Sequence, residues 1–528
     1  MCPAVAEPSW LSGQHGTTLG WWSVPAAPTG RGVLLLPALG YEYSTSHRTW
    51  RTLAEQLAER GSLALRLDHP GTADSTEPAD GVTGIEGWRA AVHTGVQALR
   101  DAGASSVSLV GIRWGATLAL LEAEAVGAEA VLALAPVVSG KRYVRELKLL
   151  GESDADGSGD VSVGGSLLTA AVLASMATVT VSAPAGIRVR SFDKPGAMAL
   201  PGDVERTEAP SLIEVLDRPA EDAVMDQVLV AEAADWLCPA SPAGRALASL
   251  PALPSAQFTW RGTALEETVV NTGPLVGVLT RCAAAPSRDL LVFLNSGSDP
   301  HSGPGRAWVD LARDIATPDG WSSLRVDATG WGESPDGPSV PGRPYDRHMT
   351  GDLTAAVAML HASGQWDRVV LTGLCAGAWV ALQVARDPAN PVAGVIALNA
   401  QLYWQYGDPV MALLAEAIAY RAPTAAFEAE QAALGRWDAE DEQGVRPPSA
   451  LWLDELAAAG RPITLLFTGS DPGLEYVNKR IARRLASAVA TGVVSVVEVP
   501  ELDHGLQRTW LRPLVVGAYR AALEHVRA

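Results

Sequence analysis

The stretch that decides the fold is residues 369–385, VVLTGLCAGAWVALQVA. It begins with a short apolar run, which predicts a buried strand, and continues into an alanine-rich stretch, which predicts a helix. Between the two lies the pattern Gly-x-Cys-x-Gly, with Cys375 flanked by Gly373 and Gly377. So sharp a strand-to-helix turn leaves no room for side chains two positions from its centre, which is why glycine is expected on both sides. The segment therefore predicts a cysteine held above the sheet edge at the start of a helix.

The same landmarks occur earlier in the chain, about 260 residues before. GIRWG precedes GLCAG, LRLDHPGTADS precedes LRVDATGWGES, and RTWRTLA precedes RAWVDLA, at residues 111–115 and 373–377, 65–75 and 324–334, and 48–54 and 306–312. An offset that holds through three landmarks in the same order is hard to produce by chance. The sequence therefore predicts two copies of one fold.

Each copy alternates predicted strands with predicted helices. This alternation predicts an α/β fold, in which a mostly parallel sheet carries helices on both faces. Residues 266–280, EETVVNTGPLVGVLT, have the pattern of an antiparallel hairpin that opens the second copy. We therefore expect domains at 1–262 and 263–528. A long insertion follows the sixth core strand of each copy, and in the second copy, around residues 401–461, we expect it to form a cap or lid.

Composition narrows the function classes. The chain has 528 residues, of which 48% are apolar, and a formal net charge of -19. An acidic surface repels phosphate backbones, so nucleic acid is not expected as a partner. The four cysteines form no CxxC pair, which favours a reducing cytoplasm over a disulfide framework. The sequence opens with no secretory signal pattern, and its longest apolar stretch, residues 167–181, is too short for a membrane span.

Two further residues complete a pattern around Cys375. Asp471 follows the predicted strand 463–469 directly, and His504 follows the predicted strand 493–499. The chain order nucleophile, acid, histidine, each on the turn after its own strand, is that of a nucleophilic triad. The alternative is a small buried cysteine on a packing helix, the usual state of a lone cysteine.

These elements resemble the α/β-hydrolase superfamily, in two tandem copies. The resemblance extends over nearly the whole chain and includes the Asp-x-x-Gly turns at Asp68 and Asp327. It implies that Cys375 is the nucleophile, His504 the general base, and Asp471 the acid that orients His504.

The resemblance also implies an oxyanion hole. We expect it to combine the N–H of Ala376 with one from the turn after the first parallel strand, where Gly297 is preferred over Ser296.

Other residues compete for the triad roles. Asp503 is adjacent to His504, but in an ordinary turn its side chain points away from the imidazole. His301 and His348 do not follow the last strand, so we expect them to be solvated or substrate-facing.

The first copy departs from the pattern at the decisive position. Arg113 stands where the nucleophile should be, and arginine stays protonated and cannot attack a carbonyl. No histidine occurs between His93 and His301, so the base is also missing. Asp217 is the candidate remnant of the acid. Arg113 could bind a carboxylate or phosphate, or form a buried ion pair with Asp217 or Glu42. We expect this copy to be a degenerate, non-catalytic domain.

A cysteine nucleophile limits the reaction. A thiolate paired with histidine attacks esters and thioesters and yields a thioester acyl-enzyme. The sharp strand-to-helix turn that carries the nucleophile in this superfamily is called the elbow. Dehalogenases of the superfamily need an aspartate at that position. A cysteine there resembles acyltransferases, including carrier-protein aminoacyl transferases and polyester synthases, and also dienelactone-type hydrolases. We therefore expect an acyltransferase that works through an acyl-Cys375 intermediate. A thioesterase or esterase with the same triad is one alternative, and a non-catalytic binding or scaffold protein is another.

The expected substrate is a small-molecule or carrier-bound acyl group, with a carrier protein as a candidate partner. Tyr403, Trp404 and Tyr406 open the second insertion, and we expect them to form a substrate-facing wall. No histidine or cysteine spacing suggests a metal site, no nucleotide-binding glycine pattern occurs, and no cofactor is expected. The oligomeric state is left open.

Overall fold

The computed structural model describes residues 6–527 except 14, 78–83, 154–156, 219, 221–222, 240–246, 248–249, 251–252, 337–344, 346, 403–447 and 470. The chain forms two compact units, Met1–Ala256 and Gln257–Ala528. No helix in the described ranges is both long and apolar enough to cross a membrane.

The first unit is built on an eight-stranded sheet with the order β1-β2-β4-β3-β5-β6-β10-β11. A three-stranded sheet, β7-β8-β9, lies in the insertion after β6. The strands are β1 Glu7–Gly13, β2 Gly16–Ser23, β3 Arg31–Leu36, β4 Leu63–Leu67, β5 Ser106–Ile112, β6 Ala130–Leu134, β7 Glu152–Ser153, β8 Val161–Val163, β9 Ser166–Leu168, β10 Arg188–Asp193 and β11 Glu205–Glu208. The helices are Tyr41–Glu59, Gly84–Asp101, Trp114–Glu122, Gly140–Leu150, Ala170–Ala177, Ser211–Leu216 and Gln227–Leu237.

The second unit is built on a nine-stranded sheet with the order β12-β13-β14-β16-β15-β17-β18-β19-β20. The strands are β12 Ser255–Trp260, β13 Thr263–Thr272, β14 Leu275–Cys282, β15 Asp289–Phe293, β16 Ser322–Asp327, β17 Arg368–Leu374, β18 Gly394–Leu398, β19 Ile463–Thr468 and β20 Val494–Val499. The α-helices are Ala307–Ile315, Arg347–Ala362, Ala376–Arg386, Pro448–Ala458, Pro472–Tyr476, Ala482–Ala490 and Arg512–Arg527. Shorter helical turns are Pro304–Arg306, Val477–Ile481 and Thr509–Leu511.

The two large sheets share one topology. From β13 onward the second sheet repeats the first strand for strand: β13-β14-β16-β15-β17-β18-β19-β20 correspond to β1-β2-β4-β3-β5-β6-β10-β11, an antiparallel pair followed by parallel strands. The expected hairpin at residues 266–280 is the pair β13–β14, and β12 adds an edge strand that the sequence pattern did not indicate.

Side chains along the central strands of the second sheet point alternately to its two faces, and both faces are buried. On β15, Leu290 and Val292 belong to one apolar cluster, whereas Leu291 and Phe293 belong to another. Successive side chains of a strand point to opposite faces, so each face is covered by its own helical layer. In a parallel sheet that is buried on both faces, catalytic and binding sites lie at the carboxyl ends of the strands. The loops that follow β15, β17, β18, β19 and β20 meet at this edge of the sheet.

Candidate active site

Cys375 occupies a sharp turn between β17 and the helix Ala376–Arg386. Its φ of 55° and ψ of -109° are unfavourable for a side chain, and its N–H donates to Leu398 O at 2.9 Å. A Cβ at Gly373 would lie 2.5 Å from the carbonyl carbon of Gly377, so glycine is required at this flank. The strained cysteine is thus held at the N-terminus of the helix, as the Gly-x-Cys-x-Gly pattern predicts.

His504 and Asp471 lie at the same edge of the sheet and form a hydrogen-bonded pair. His504 Nδ1 and Asp471 Oδ2 are 2.6 Å apart, and the imidazole also hydrogen-bonds to the side chain of Cys375. The second carboxylate oxygen of Asp471 accepts from Gly473 N at 2.8 Å, at the start of the helix Pro472–Tyr476. The structure therefore brings the three predicted residues together in one chain of contacts.

The charges around His504 favour the imidazolium. Burial lowers the pKa of His504, but hydrogen bonds to Asp471 and Cys375, and the charges of the same two groups, outweigh it and raise the pKa to about 10. The imidazole side chain is 43% exposed, whereas Asp471 is fully buried. The imidazole is thus accessible from outside, and the carboxylate that pairs with it is not.

Asn399 was not identified from the sequence, although it stabilises the loop after β20 that carries His504, called here the histidine loop. Its side chain is buried and donates to His504 O at 3.2 Å and to Thr468 Oγ1 at 3.0 Å, while Thr468 N donates to its Oδ1 at 2.9 Å. It therefore joins the ends of β18 and β19 to the loop that carries His504. An asparagine directly after an apolar strand, in the stretch Gly394–Leu398 plus Asn399, was the signal available in the sequence.

The turn after β15 lies against the first turn of the elbow helix. A Cβ at Gly377 would lie 2.5 Å from Asn295 O, so the two backbones approach closely. Ala376 is the first residue of its helix, where N–H groups have no partner within the helix. Gly297 has a φ of 53°. The oxyanion hole at Ala376 and Gly297 stays a prediction.

The carboxylate of Asp327 holds the turn after β15 in place. Its carboxylate accepts from Asn295 Nδ2 at 2.9 Å, His301 N at 2.7 Å and Glu333 N at 2.9 Å, and it lies 2.5 Å from His301 Nδ1. Burial raises the pKa of Asp327, but the charge of His301 and these hydrogen bonds outweigh it and hold the pKa below its usual range. The Asp-x-x-Gly turn therefore supports the turn after β15.

The competing residues have other contacts. The Asp503 carboxylate accepts from the backbone N–H groups of Gln507 and Arg508, so it caps its own turn. The expectation for His301 was wrong: it is buried against Asp327 and is not solvated, because the two side chains form a structural pair. His348 lies exposed on the helix Arg347–Ala362, as expected.

Residues 287–448 match the model of a family described as serine aminopeptidase, S33. The family match, the strand order and the elbow agree in one architecture. The second unit has the α/β-hydrolase fold. The matching family is one of hydrolases.

Two solved α/β-hydrolase structures illustrate the similarity. A thermophilic esterase from Thermogutta terrifontis is 17% identical over 52% of this chain and 99% of its own, with a TM-score of 0.32. A dienelactone hydrolase from Anabaena variabilis is 14% identical over 49% of this chain and 97% of its own, also with a TM-score of 0.32. No curated protein matches this chain.

Two residues beside Cys375 also escaped the sequence analysis. Tyr345 Oη lies 3.6 Å from Cys375 Sγ and donates to Gln401 Oε1 at 2.6 Å. The tyrosine lies in sequence between β16 and the helix Arg347–Ala362, and the glutamine comes two residues after Asn399. Neither position belongs to a motif, so only the folded chain shows that Tyr345 reaches the sulfur and that Gln401 reaches Tyr345.

The equivalent position of the first unit holds a network of charged groups. Arg113 pairs with Glu42 and, at 2.9 Å, with Glu146, and its guanidinium lies 5.1 Å from the ring centre of Tyr143. The expected ion pair with Glu42 is therefore present. Asp217 does not contact Arg113; it pairs with Lys194 at 2.6 Å.

The expectation that Asp217 is the remnant acid was wrong. It caps the helix Ser211–Leu216, which follows β11, the last strand of the first sheet. The acid of the second unit instead follows the next-to-last strand, β19. Asp217 thus occupies the position in the first unit that corresponds to the His504 loop of the second unit, not to Asp471. Its side chain is half-exposed, which does not suit the acid of a triad.

Tyr403, Trp404 and Tyr406, together with most of the expected cap at 401–461, lie outside the described residues. Among the residues that are described, no group of three or more histidine, cysteine or acidic side chains could hold a metal ion.

Proposed function

We propose that the second unit is an acyltransferase that works through a covalent acyl-Cys375 intermediate. The observation that carries the proposal is the contact chain from Cys375 through His504 to buried Asp471. A thiolate is the reactive form of cysteine, and a neighbouring imidazolium stabilises it. The first half of the reaction is then attack of the Cys375 sulfur on the carbonyl carbon of an ester or thioester donor.

In this reaction, His504 moves the protons. As imidazolium it gives its proton to the departing alcohol or thiol, and as neutral imidazole it then takes the proton of the acceptor. Asp471 keeps Nδ1 protonated, so that Nε2 faces the reacting groups. The N–H of Ala376 and that of Gly297 would bind the carbonyl oxygen while it carries negative charge.

Cysteine chemistry favours transfer over hydrolysis. A thioester intermediate keeps acyl-transfer potential toward a second thiol, an amine or an alcohol. The partner class proposed here is therefore an acyl donor, small or bound to a carrier, followed by a nucleophilic acceptor. The net negative charge of the chain disfavours binding to nucleic acid and is consistent with the partners proposed here.

A thioesterase or esterase is the second candidate, and the match to a hydrolase family favours it. It needs the same triad and differs only in whether water reaches the acyl-enzyme. A non-catalytic scaffold is the third possibility. The first unit, with Arg113 buried in ion pairs at the elbow, supports such a role for that unit alone. We propose that the first unit is non-catalytic.

The test is intact-mass analysis of the full chain after incubation with a panel of acyl esters and thioesters. A mass increase of one acyl group, absent in Cys375→Ala, supports the acyl-enzyme. Adding thiol, amine or alcohol acceptors then separates the candidates, because a transferase yields the acylated acceptor and a hydrolase yields only free acid. Failure of every donor to label the chain, with sluggish and equal iodoacetamide labelling of all cysteines, would favour the scaffold.

A further inference from the structure

The nucleophile has a second neighbour with a labile proton. Tyr345 Oη lies 3.6 Å from Cys375 Sγ, while the imidazole of His504 contacts the same sulfur. Neither the fold nor the triad requires a hydroxyl at this place, because the triad already provides the base and its orienting acid. The hydroxyl touches the atom that forms and breaks bonds, so its effect falls directly on the chemistry.

The tyrosine is held firmly in this position. It is 9% exposed, and its ring packs edge-on against Trp379, with 5.5 Å between ring centres and an interplanar angle of 88°. Trp379 is fully buried one helical turn after Cys375, and its backbone N–H donates to Cys375 O at 3.0 Å. The ring of Tyr345 is thus fixed to the same turn that fixes the nucleophile.

Two of the described residues offer the hydroxyl proton an acceptor, Gln401 and Cys375. A phenol carries a single proton, and Gln401 Oε1 accepts it at a distance of 2.6 Å. The sulfur, 3.6 Å from the same oxygen, becomes a better acceptor when it carries a negative charge, because hydrogen bonds to ionised groups are stronger than those between neutral groups. The proton can therefore follow the charge of the sulfur.

We propose that Tyr345 is a catalytic residue that donates a hydrogen bond to the Cys375 sulfur as it leaves in the second half of the reaction. This inference rests on the proposed acyl-enzyme. When the second tetrahedral intermediate collapses, the carbonyl re-forms, the carbon–sulfur bond breaks and its electron pair moves to Sγ. The proton of the acceptor is by then on His504, and the proton of Tyr345 stays on its own oxygen.

The expected consequence is an unequal effect on the two half-reactions. During collapse to product the sulfur gains a charge, so loss of the hydroxyl should slow deacylation by about 10-fold to 100-fold, the range for one hydrogen bond to a charged group. During acylation the sulfur loses its charge, so the same change should alter that step by less than about threefold. A purely structural role would slow both steps together.

The test compares wild type, Tyr345→Phe and Tyr519→Phe in the full chain. The phenylalanine keeps the edge-on packing on Trp379. Tyr519 is a matched control, because it is a buried tyrosine whose hydroxyl pairs with Thr372 Oγ1 at 2.8 Å. Acylation is followed by the nitrophenolate burst from para-nitrophenyl acetate, and deacylation by decay of the acetyl adduct with excess β-mercaptoethanol.

The proposal expects slower decay with a near-normal burst in Tyr345→Phe, and wild-type values for both steps in Tyr519→Phe. Decay at the wild-type rate, or equal slowing of burst and decay, would overturn the role of Tyr345 while leaving the acyl-enzyme intact. A wild-type chain that forms no acetyl adduct with this or any other ester would remove the proposed function and the tyrosine's role with it.

A second variant tests the shared proton and does not depend on the tolerance of position 345. Gln401→Glu keeps the shape of the side chain but places a charged, stronger acceptor on the tyrosine. It should hold the proton away from the sulfur and slow decay of the adduct in the same direction as Tyr345→Phe. Unchanged decay in Gln401→Glu would overturn the choice between two acceptors.

Discussion

The elbows of the two units share a backbone and differ in chemistry. Arg113 has φ 53° and ψ -116°, and Cys375 has φ 55° and ψ -109°. The N–H of each donates at 2.9 Å to the last residue of the neighbouring strand, Leu134 O in one unit and Leu398 O in the other. The strained turn is thus preserved whether or not a nucleophile stands in it.

The glycines explain why the turn persists. A Cβ at Gly111 or at Gly373 would lie 2.3 Å or 2.5 Å from backbone atoms of the following helix turn. A Cβ at Gly115 or at Gly377 would similarly strike the carbonyl oxygen of the turn after the first parallel strand. The close packing of helix on strand therefore selects glycine for structural reasons, and the motif by itself does not establish catalysis.

The difference lies in what stabilises the central side chain. In the second unit, Cys375 faces a half-exposed histidine supported by Asp471. In the first unit, the Arg113 side chain is 10% exposed, and burial raises the pKa of Glu42 even though Arg113 opposes this. The first site is filled by groups of opposite charge, whereas in the second site the His504 side chain is 43% exposed.

The largest expected effect is at the two elbow residues themselves. Cys375→Ala should abolish acyl-enzyme formation, because no other residue supplies the nucleophile. Arg113→Ser in the Cys375→Ala background should restore nothing, since no histidine occurs between His93 and His301. Intact mass and turnover of an ester substrate measure both outcomes. Turnover by the double variant would show that the first unit holds a base after all.

The next effect is graded along the triad. His504→Ala should slow acyl-enzyme formation by about 10³-fold or more, because nucleophile and base act as a unit. Asp471→Asn should slow it less, because it removes only the orientation and charge support of the base. Single-turnover rates with one ester donor measure the order. A larger loss in Asp471→Asn than in His504→Ala would contradict the assignment of acid and base.

A stability effect is expected from the first elbow. Arg113→Met should lower the free energy of unfolding by about 3 kcal/mol, because it leaves the buried Glu42 carboxylate without its main partner. The double change Arg113→Met with Glu42→Leu should recover most of this loss. Urea unfolding of the full chain measures both. Equal stability of wild type and the single variant would mean that the ion pair contributes nothing.

The smallest effect concerns pH and is confined to the second elbow. The folded pKa of His504 is about 10, above the unfolded value of about 6.5, so folding favours the protonated form. Its contribution to stability is therefore fully present below pH 6.5 and is lost as the pH rises toward 10. The free energy of unfolding of wild type minus that of His504→Gln should fall across this window.

Tyr519→Phe serves as the control for that titration. Burial raises the pKa of Tyr519 well above its usual value, so the phenol stays neutral up to pH 10. Its stability loss should be constant across the same window. A flat difference for His504→Gln as well would show that the imidazole is not bound as a cation in the folded chain.

Much of this site was predictable because its parts lie in local patterns. Cys375, Asp471 and His504 each follow a predicted strand within a few residues, and parallel strands bring their carboxyl ends to one edge. The chemistry follows from the order of three residues, which the sequence displays directly. The same reasoning failed at Asp217, because the chain after β10 adds a loop and β11 before that residue, and apolar patterning did not reveal this short, exposed strand.

The sequence by itself determined the repeated α/β pattern, the elbow glycines, the chain order of Cys375, Asp471 and His504, and the arginine that replaces the cysteine in the first copy. Only the tertiary structure decided that His301 is a buried partner of Asp327, that Asn399 supports the histidine loop, and that Tyr345 reaches the sulfur. The physical reason is separation along the chain. Local patterns record which residues share a strand or a turn, whereas contacts across 26 to 105 residues depend on how loops from different strands pack at one sheet edge.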